Sequence, residues 1–578
     1  MGFLGLDLAI WVVLALYFAG MLLMGFLSKR TIHNQEGYLL GNRRFGVTMM
    51  IMHAFGAGTH PGAPAGVISK TVSSGASGVW VSWMWMFGTP FYWIIAPIIR
   101  RMRYLTMADF FQKRFSRAAG VLYVVVATVG MIVFLASVLL ATTRTVQGMM
   151  GKATPGTVQV HSNPSDSDQS VTDYVGEPES EMWFFAILFT ITAVFLIYSY
   201  WGGIVAAIRT DTIQGLMIIA LSFIAIPAAL GLEDVGGLAG MRATLESQKT
   251  QAVDYLSLFD PGEFNLVTVL LLCVNAPLSM LAIPHLMSVC GAGRTEWEGR
   301  VGFTYGNILK RVCTIGWCLL GLCWLAYLIN TGSAIHPDAA FGDSIRALLS
   351  PVLQGVMLAC VMAAAMSSGD AVQVTVAGLF SQNVYRVYLN PGADERQLVR
   401  VTRVTGLAVA LMSLLAAILM RSSIVKTILD YFNILSLVGI SVAMGILWRR
   451  MNTAGVFCST ISAVSTFIMT RYVLGCPRDI TIGAPILIGI LAGVIGSLLT
   501  KPPSAETIEE FFKRIYVPIG EEKKLDLPID EAVPRSKRWL TAGGLFIVKP
   551  SRQSWVGFIV TLAMCIVCVA VMLAILNL

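Results

Sequence analysis

The chain has 578 residues, of which 56% are hydrophobic and only 13% charged, and its mean hydropathy is +0.72. Soluble domains carry about 25% charged residues, so this composition excludes an ordinary soluble domain and indicates a protein that crosses a membrane many times. The formal net charge of +8 does not indicate nucleic-acid binding, because the basic residues stand in short clusters between apolar segments.

Stretches of roughly 20 mainly apolar residues predict about fourteen membrane spans. Their expected limits are 5–28, 45–69, 76–99, 118–148, 181–200, 204–231, 264–288, 305–329, 350–384, 400–420, 425–448, 454–474, 481–500 and 554–576. The Lys and Arg clusters fall on one side if the spans alternate, which assigns that side to the cytoplasm. We therefore expect a multi-pass protein of the cell (plasma) membrane with both termini extracellular or periplasmic.

Two of the predicted spans look interrupted. The second contains Pro61 and Pro64 among four glycines, and the seventh contains Pro277 and Pro284. Proline removes a backbone donor and glycine weakens a helix, so each span is expected to unwind at these points. Proline and glycine are also common in ordinary membrane helices. Breaks at matching positions in two halves favour an inverted-repeat secondary transporter, whose unwound carbonyls can hold a cation.

The run from Ala363 to Asp370 places two hydroxyls, Ser367 and Ser368, and a carboxylate inside the ninth predicted span. Buried polar groups in a membrane are costly and mark ion or substrate paths. Hydroxyl and carbonyl oxygens suit a hard monovalent cation, so the run indicates a sodium site.

Other functions find little support in the sequence. There is no P-loop and no Ser/His/Asp constellation or metal-ligand spacing, so we expect neither ATP drive nor an enzyme. Most of the ten cysteines lie within apolar spans and are interpreted as packing residues. The segment 501–552 contains one short amphipathic helix from Thr507, interpreted as a helix lying on the membrane surface rather than a catalytic module.

Four segments together carry a family resemblance. They are Tyr200–Ile204 followed by Arg209–Gln214, Arg103–Phe115, Pro284-His285, and Ala364 with Ser367-Ser368. They resemble signatures of the sodium/solute symporter family, which includes sodium-coupled sugar, proline, pantothenate, iodide and sialic acid carriers. The resemblance implies an all-α integral membrane fold, a LeuT-like five-plus-five inverted-repeat core with about 14 transmembrane helices.

The resemblance also implies a division of the chain. The expected parts are a peripheral first helix and cytoplasmic loop (1–44), the first repeat (45–231), the second repeat (264–448), two peripheral helices (454–500), a cytoplasmic segment (501–552) and a last helix (553–578).

For the ion, the resemblance implies a sodium site between the second and ninth spans. Its ligands would be the backbone carbonyls of His53 and Gly56, the Ala364 carbonyl, and the Ser367 and Ser368 hydroxyls. Such a site gives five oxygens without requiring a carboxylate.

Asp370 stands where family members with a second sodium site have a hydroxyl, and its partner on the fifth core helix would be Asp211. The pair could form a second cation site or a proton-sensitive switch. Alternatively, Asp370 caps or hydrogen-bonds a neighbouring helix while Asp211 pairs with Arg209.

The solute is less well defined. The polar positions of the sugar carriers align with Phe55, Met84 and Leu429, which argues against a typical sugar site. Lys310 matches a lysine of those carriers, although a lysine that extends to the membrane surface explains it equally. The candidate solute-binding residues are Thr59, His60, Trp80, Met84, Asn275 and Tyr431. Such a pocket suits a small carboxylate, an amino acid such as proline, or a neutral polyol.

The sequence therefore predicts a monomeric symporter that imports a small organic solute by alternating access, with Na⁺ as coupling ion and no other cofactor. Its partners would be the solute, Na⁺ and the lipid bilayer, with no nucleic acid. The alternative is a sodium-independent or proton-coupled carrier of a sugar or polyol, an amino acid or a monocarboxylate. A channel or a sensor that shares the same core is a further alternative.

Overall fold

The computed structural model describes residues 6–28, 43–153, 178–201, 204–250 and 253–578, most of which are helical. The helices are α1 Leu8–Ser28, α2 Val47–Gly58, α3 Gly62–Ser74, α4 Trp80–Trp83, α5 Tyr92–Met102, α6 Met107–Arg114, α7 Arg117–Met149, α8 Pro178–Trp201, α9 Ile204–Leu230, α10 Gly237–Ser247, α11 Leu266–Ala282, α12 Leu286–Gly291, α13 Glu296–Thr331, α14 Ala340–Leu348, α15 Pro351–Phe380, α16 Glu395–Leu419, α17 Ile424–Leu447, α18 Thr453–Ile468, α19 Arg478–Leu499, α20 Ala505–Tyr516, α21 Ile529–Ala532 and α22 Arg552–Asn577. Two short strands, β1 Arg538–Leu540 and β2 Ile547–Val548, pair antiparallel.

Membrane-spanning character is distributed along the whole chain. Within the described ranges, nine helices are long and apolar enough to cross a bilayer, and four shorter apolar helices accompany them. The predicted span 76–99 is not a regular helix, because it forms 3₁₀ turns at Gly75–Val79 and Thr89–Phe91 around the single turn α4 before α5 begins. Fourteen remains an approximate number of spans.

Both predicted interruptions exist, one in each half of the chain. Helix α2 ends at Gly58 and α3 begins at Gly62, while α11 ends at Ala282 and α12 begins at Leu286. The expectation of a break at Pro277 is wrong, because α11 runs through this residue without interruption. The backbone of Leu278, the residue after Pro277, packs tightly against Gly439 of α17. This contact supports the helix through the proline.

Helix α13 packs closely on α2 because small residues line the contact. A Cβ atom at Gly306 would lie 2.6 Å from the Ile51 carbonyl oxygen, and one at Gly302 would lie 2.6 Å from the Met50 Cβ. Small residues allow membrane helices to approach at the backbone. This approach brings the polar side chains of α13 to the break that follows α2.

The segment Thr106–Asp109 fastens α6 to the end of α15. Thr106 and Asp109 form a reciprocal capping box at the start of α6. The Asn383 amide, on the π-helical extension Ser381–Leu389 of α15, donates to Asp109 Oδ1 at 2.8 Å, and the Thr106 hydroxyl donates to Asn383 Oδ1 at 2.9 Å. This part of the family-like motif therefore joins two elements of the fold.

The segment 501–552 lies on the protein. The predicted amphipathic helix is α20, but its buried side chains Phe511 and Phe512 pack against α5 and α6 rather than against lipid. Nearby, the Arg449 guanidinium lies over the Phe546 ring at 4.0 Å, a favourable cation–π geometry. The amphipathic pattern is satisfied by protein contacts, which the sequence cannot distinguish from lipid contacts.

We expect Gly439→Ala to destabilise the membrane domain. The added methyl group would overlap the Leu278 carbonyl oxygen of α11, and backbone atoms cannot move aside as a side chain can. Overpacking of this kind costs about 1–3 kcal/mol. Thermal unfolding of the purified protein in detergent measures the effect.

The matched control is Gly20→Ala in α1, where an added Cβ would meet no atom within 4 Å. This change should leave the unfolding temperature the same or raise it slightly, because alanine favours helix. Equal behaviour of the two variants would contradict the close α11–α17 packing.

Candidate functional site

The break after α2 interrupts the regular i+4 hydrogen bonding of the backbone carbonyls at the end of that helix, although the Gly56 carbonyl still accepts from the Thr59 amide at 3.2 Å. Two of them receive polar side chains from distant helices. The Ser368 hydroxyl of α15 donates to the Gly56 carbonyl oxygen at 3.4 Å, and the Lys310 Nζ of α13 donates to the Gly58 carbonyl oxygen at 2.5 Å. The end of α2 is thus the point where α2, α13 and α15 meet.

The predicted sodium ligands lie on the two elements that this contact joins. Ser367, Ser368 and Ala364 share α15 and are buried, and His53 and Gly56 are buried on α2. The Ser368–Gly56 separation of 3.4 Å is longer than a usual O–H···O bond, and the Gly56 carbonyl oxygen also accepts from the Thr59 amide at 3.2 Å. The Ser368 hydroxyl oxygen retains lone pairs for a cation, and at the Gly56 carbonyl a cation could replace the long Ser368 contact.

A small cavity of about 40 Å³ lies beside the break. Of the predicted solute-binding residues, His60 and Tyr431 line it. The other lining residues are Ala54, Ala57, Gly58, Trp85, Phe134, Met280, Ile283, His285, Val289, Phe303, Asn307, Lys310 and Phe432. The break between α11 and α12 supplies Ile283 and His285, so the two interruptions face the same cavity.

Aromatic rings form much of this lining. The His60 ring meets Phe134 edge-on with centroids 4.8 Å apart, and Phe134 contacts Tyr431 at 4.7 Å. Trp85 and Tyr431 both contact the Phe432 ring, each at 4.2 Å between centroids. The cavity therefore combines an apolar wall with a few polar groups, as solute pockets generally do.

Two further predicted solute-binding residues lie near this cavity. Met84 lines an adjoining cavity of about 20 Å³ together with His60 and Lys310. Thr59 is buried in the break itself, and its hydroxyl has no hydrogen-bond partner among the described residues.

The structure places the remaining two away from the cavity. The Trp80 indole donates to the Leu258 carbonyl oxygen at 2.6 Å and stacks against Phe259. The Asn275 amide donates to the Asn433 side-chain oxygen at 3.2 Å, which joins α11 to α17.

Helix α13 contributes site residues that the sequence analysis did not select. Phe303, Asn307 and Lys310 line the cavity, and their spacing of four and three residues places them on one face of the helix. The interpretation of Lys310 as a lysine reaching the membrane surface is wrong, because its amine is held at the Gly58 carbonyl in the protein interior. The i, i+4, i+7 spacing was the signal that could have found this face.

Asp370 is buried in α15, one helical turn beyond Ser367. The backbone of Asp211 belongs to α9, but its side chain lies outside the described part of the structure. The predicted pairing of these two carboxylates therefore stays a prediction.

Ion pairs lie above α3, that is, at the end of the bundle where α3 ends at Ser74. Lys70 contacts Asp260 at 3.1 Å and Glu263 at 3.2 Å, and Arg478 of α19 lies 3.6 Å from Glu263. Burial alone would raise the pKa of Glu263, but Lys70 and Arg478 overcome this effect and lower the pKa to about 2. Glu263 is therefore ionised at neutral pH and ties α3 to the loop before α11.

Known proteins resemble this chain over most of its length. The profile of the sodium:solute symporter family matches residues 38–151 and 182–462. The osmoregulated proline transporter OpuE of Bacillus subtilis is 23% identical over 88% of this chain and 98% of its own length. A sodium/proline symporter of Salmonella typhimurium is 24% identical over 87% of this chain and 95% of its own length.

Among solved structures, a Na⁺-coupled sialic acid symporter in a substrate-bound outward-open state matches with a TM-score of 0.66. The two share 17% sequence identity, and the match covers 87% of this chain and 99% of the other. A nucleobase-cation-symport-1 family transporter, MHP1, matches with a TM-score of 0.50 and 11% identity over 82% and 98%. These likenesses concern the fold.

The paired helix breaks and the matching structures define an all-α membrane fold with a LeuT-like five-plus-five core. The chain belongs to the sodium:solute symporter family and is a multi-pass, sodium-coupled symporter. The family predicted from the sequence motifs is confirmed.

We expect Glu263→Gln to lower the thermal stability at neutral pH by about 1 kcal/mol, the upper range for partly exposed ion pairs. Because the pKa of Glu263 is lowered to about 2 from 4.5, its contribution is fully present above pH 4.5 and is lost as the pH falls toward 2. Unfolding temperatures of the two proteins should therefore converge in acid.

Glu233→Gln serves as the control, since Glu233 is exposed in the loop after α9. It should match the unmodified protein at every pH. If Glu263→Gln still unfolded at a lower temperature than the unmodified protein near pH 2, the lowered pKa of Glu263 would be contradicted.

Proposed function

We propose that this symporter imports a small organic solute into the cell with Na⁺ bound between α2 and α15. The observation that carries the proposal is the contact of the Ser368 hydroxyl with the Gly56 carbonyl at the end of the broken helix. The proposed ligands are the carbonyls of His53, Gly56 and Ala364 with the hydroxyls of Ser367 and Ser368. Hard-cation coordination by such oxygens needs no carboxylate.

Sodium would couple to the solute through α2. A cation that bridges α2 and α15 fixes the end of α2 and, with it, His60 in the wall of the solute cavity. Solute binding would then permit closure of the outer side, and inward opening would separate α2 from α15 and release the ion. Each Na⁺ that moves down a membrane potential contributes about 2.3 kcal/mol per 100 mV.

The ion pairs above α3 belong to the outer side in this proposal, because the basic loops assign the opposite end to the cytoplasm.

We propose that the protein lies in the plasma membrane as a monomer. Both termini face outward, and the segment 501–552 is cytoplasmic. The same reasoning keeps the expected division into repeats at 45–231 and 264–448. Proline transport by two relatives makes a small amino acid or organic acid the solute to test first.

We expect Ser368→Ala to weaken sodium coupling strongly. Loss of one oxygen ligand should raise the Na⁺ concentration for half-maximal uptake at least about tenfold, equivalent to about 1.4 kcal/mol. Labelled-solute uptake into proteoliposomes under an inward Na⁺ gradient, compared with K⁺, measures the change. Ser367→Ala should act in the same direction.

The control is Thr375→Ala on the same helix, whose hydroxyl donates to the Ala371 carbonyl within α15. It should keep the sodium dependence of the unmodified protein. Accumulation driven by a proton gradient would instead favour coupling through Asp370 and His60. Flux only down the solute gradient would replace the symporter by a facilitator.

A second cation site at Asp370 and Asp211 predicts a specific kinetic change. Asp370→Asn removes a full negative charge from the interior of α15 while keeping the size of the side chain. The Hill slope for Na⁺ should fall from about two to about one, since only the serine site would remain.

The measurement is solute uptake over a Na⁺ titration, with Ser367→Ala run beside it. The serine variant should shift the midpoint of the curve and the Asp370 variant its steepness. An unchanged slope and midpoint in Asp370→Asn would leave Asp370 as a helix-capping or packing carboxylate.

A further inference from the structure

The charges around the solute cavity do not balance. Lys310 lines both the cavity at the break and the adjoining cavity, and Arg311 lines the second. Among the described residues, no acidic side chain lines either of them. Buried cations are ordinarily paired, because an isolated charge in an apolar interior is very costly.

The contacts of Lys310 leave it without a counter-ion in the described part of the chain. Its ammonium donates to the Gly58 carbonyl at 2.5 Å, which uses one of three hydrogens, and no carboxylate lies within salt-bridge distance. The negative end of the α2 dipole at Gly58 compensates only part of a unit charge.

Arg311 shows the same imbalance. One of its terminal nitrogens donates to the Ser82 carbonyl at 2.7 Å, whereas its Nε and Nη2 have no hydrogen-bond partner among the described residues. Two neighbouring side chains of α13 thus place positive charge beside the break without a matching negative charge.

Other polar groups near the break are also available to a ligand. The Nδ1 atoms of His60 and His285 are buried without a hydrogen-bond partner within the described ranges, and both residues line the cavity. Helix α3 begins at Gly62, two residues beyond His60, and a helix N-terminus favours negative charge. The aromatic wall opposite supplies a surface for an apolar tail.

We infer that the solute is a small organic acid whose carboxylate pairs with Lys310, and that it carries no cationic group. This inference rests on the proposed transport function and specifies its substrate class. An amino acid would bring an ammonium group into a cavity that already holds positive charge and no carboxylate. A neutral sugar could accept a hydrogen bond from Lys310, as the match to the lysine of sugar carriers implies, but it would bring no negative charge.

The test compares small acids with their own amides, which keep the shape and remove the charge. Acetate, lactate, butyrate and benzoate are each matched with the amide, and proline and glucose complete the panel. Ligand-dependent thermal stabilisation of the detergent-purified full chain in Na⁺ gives apparent affinities without requiring transport. At least one acid should bind at least about 30-fold more tightly than its amide, as expected for a buried charge pair.

Lys310→Met provides the second arm, because methionine keeps much of the side-chain volume without the charge. The preference for acid over amide should fall to less than about threefold in this variant. Should the variant fail to fold, the acid–amide comparison on the unmodified chain decides alone. Equal affinity for acid and amide, or binding of proline or glucose with no acid bound, would overturn the inference.

Uptake into proteoliposomes separates this inference from the transport proposal. Sodium-driven proline uptake with no response to any acid would retain symport and overturn the acid assignment. Acid binding that depends on Lys310, together with uptake that ignores the Na⁺ gradient, would retain the assignment and overturn sodium coupling.

Discussion

The interrupted backbone after α2 is the constraint on which the rest of the site depends. Pro61 has no amide hydrogen and disfavours a helical conformation at His60, so the helix ends at Gly58. Its freed carbonyls lie in the protein interior, where an unsatisfied polar group costs several kcal/mol. The Thr59 amide and the Ser368 hydroxyl contact the Gly56 carbonyl, and Lys310 satisfies the Gly58 carbonyl, so α15 and α13 meet at the same point.

This geometry links the ion to the solute by electrostatics. The proposed sodium ligand Gly56 and the Lys310 acceptor Gly58 are two residues apart on one helix end. A cation bound at Gly56 would repel the Lys310 ammonium, and an anion on Lys310 would relieve that repulsion. Each ligand would therefore favour binding of the other, and such coupling is reciprocal by thermodynamic necessity. Opposite charges would enter together in a low-dielectric interior, where Coulomb interactions are strong.

Much of the fold and a small part of the cavity lining could be predicted from the sequence. Long apolar stretches specify the spans, and the prolines specify where backbone hydrogen bonds must fail, although Pro277 shows that packing can hold a helix through a proline. The α2–α15 contact could be predicted because the hydroxyls of Ser367 and Ser368 are costly in an apolar span unless they bind a polar partner. The two interpretations of Lys310 stayed open because, by position alone, an interior lysine near the predicted end of a span cannot be told from one that reaches the membrane surface. Trp80 was expected at the cavity but lies at Leu258 and Phe259. The irregular 3₁₀ turns around α4 make the direction of its side chain unpredictable from residue spacing.

Different interactions hold the two ends of the bundle together, and this difference affects how easily each end can open. Above α3, the Lys70–Glu263 pair is partly exposed, and water can replace it at little cost. At the opposite end, Arg101 makes a bidentate pair with Glu296, and the 501–552 segment adds buried aromatic packing at Phe512. Opening above α3 breaks a few screened contacts, whereas opening at the other end must also displace packed aromatic surface. The second motion therefore needs the larger driving free energy, which a bound ion and its gradient can supply.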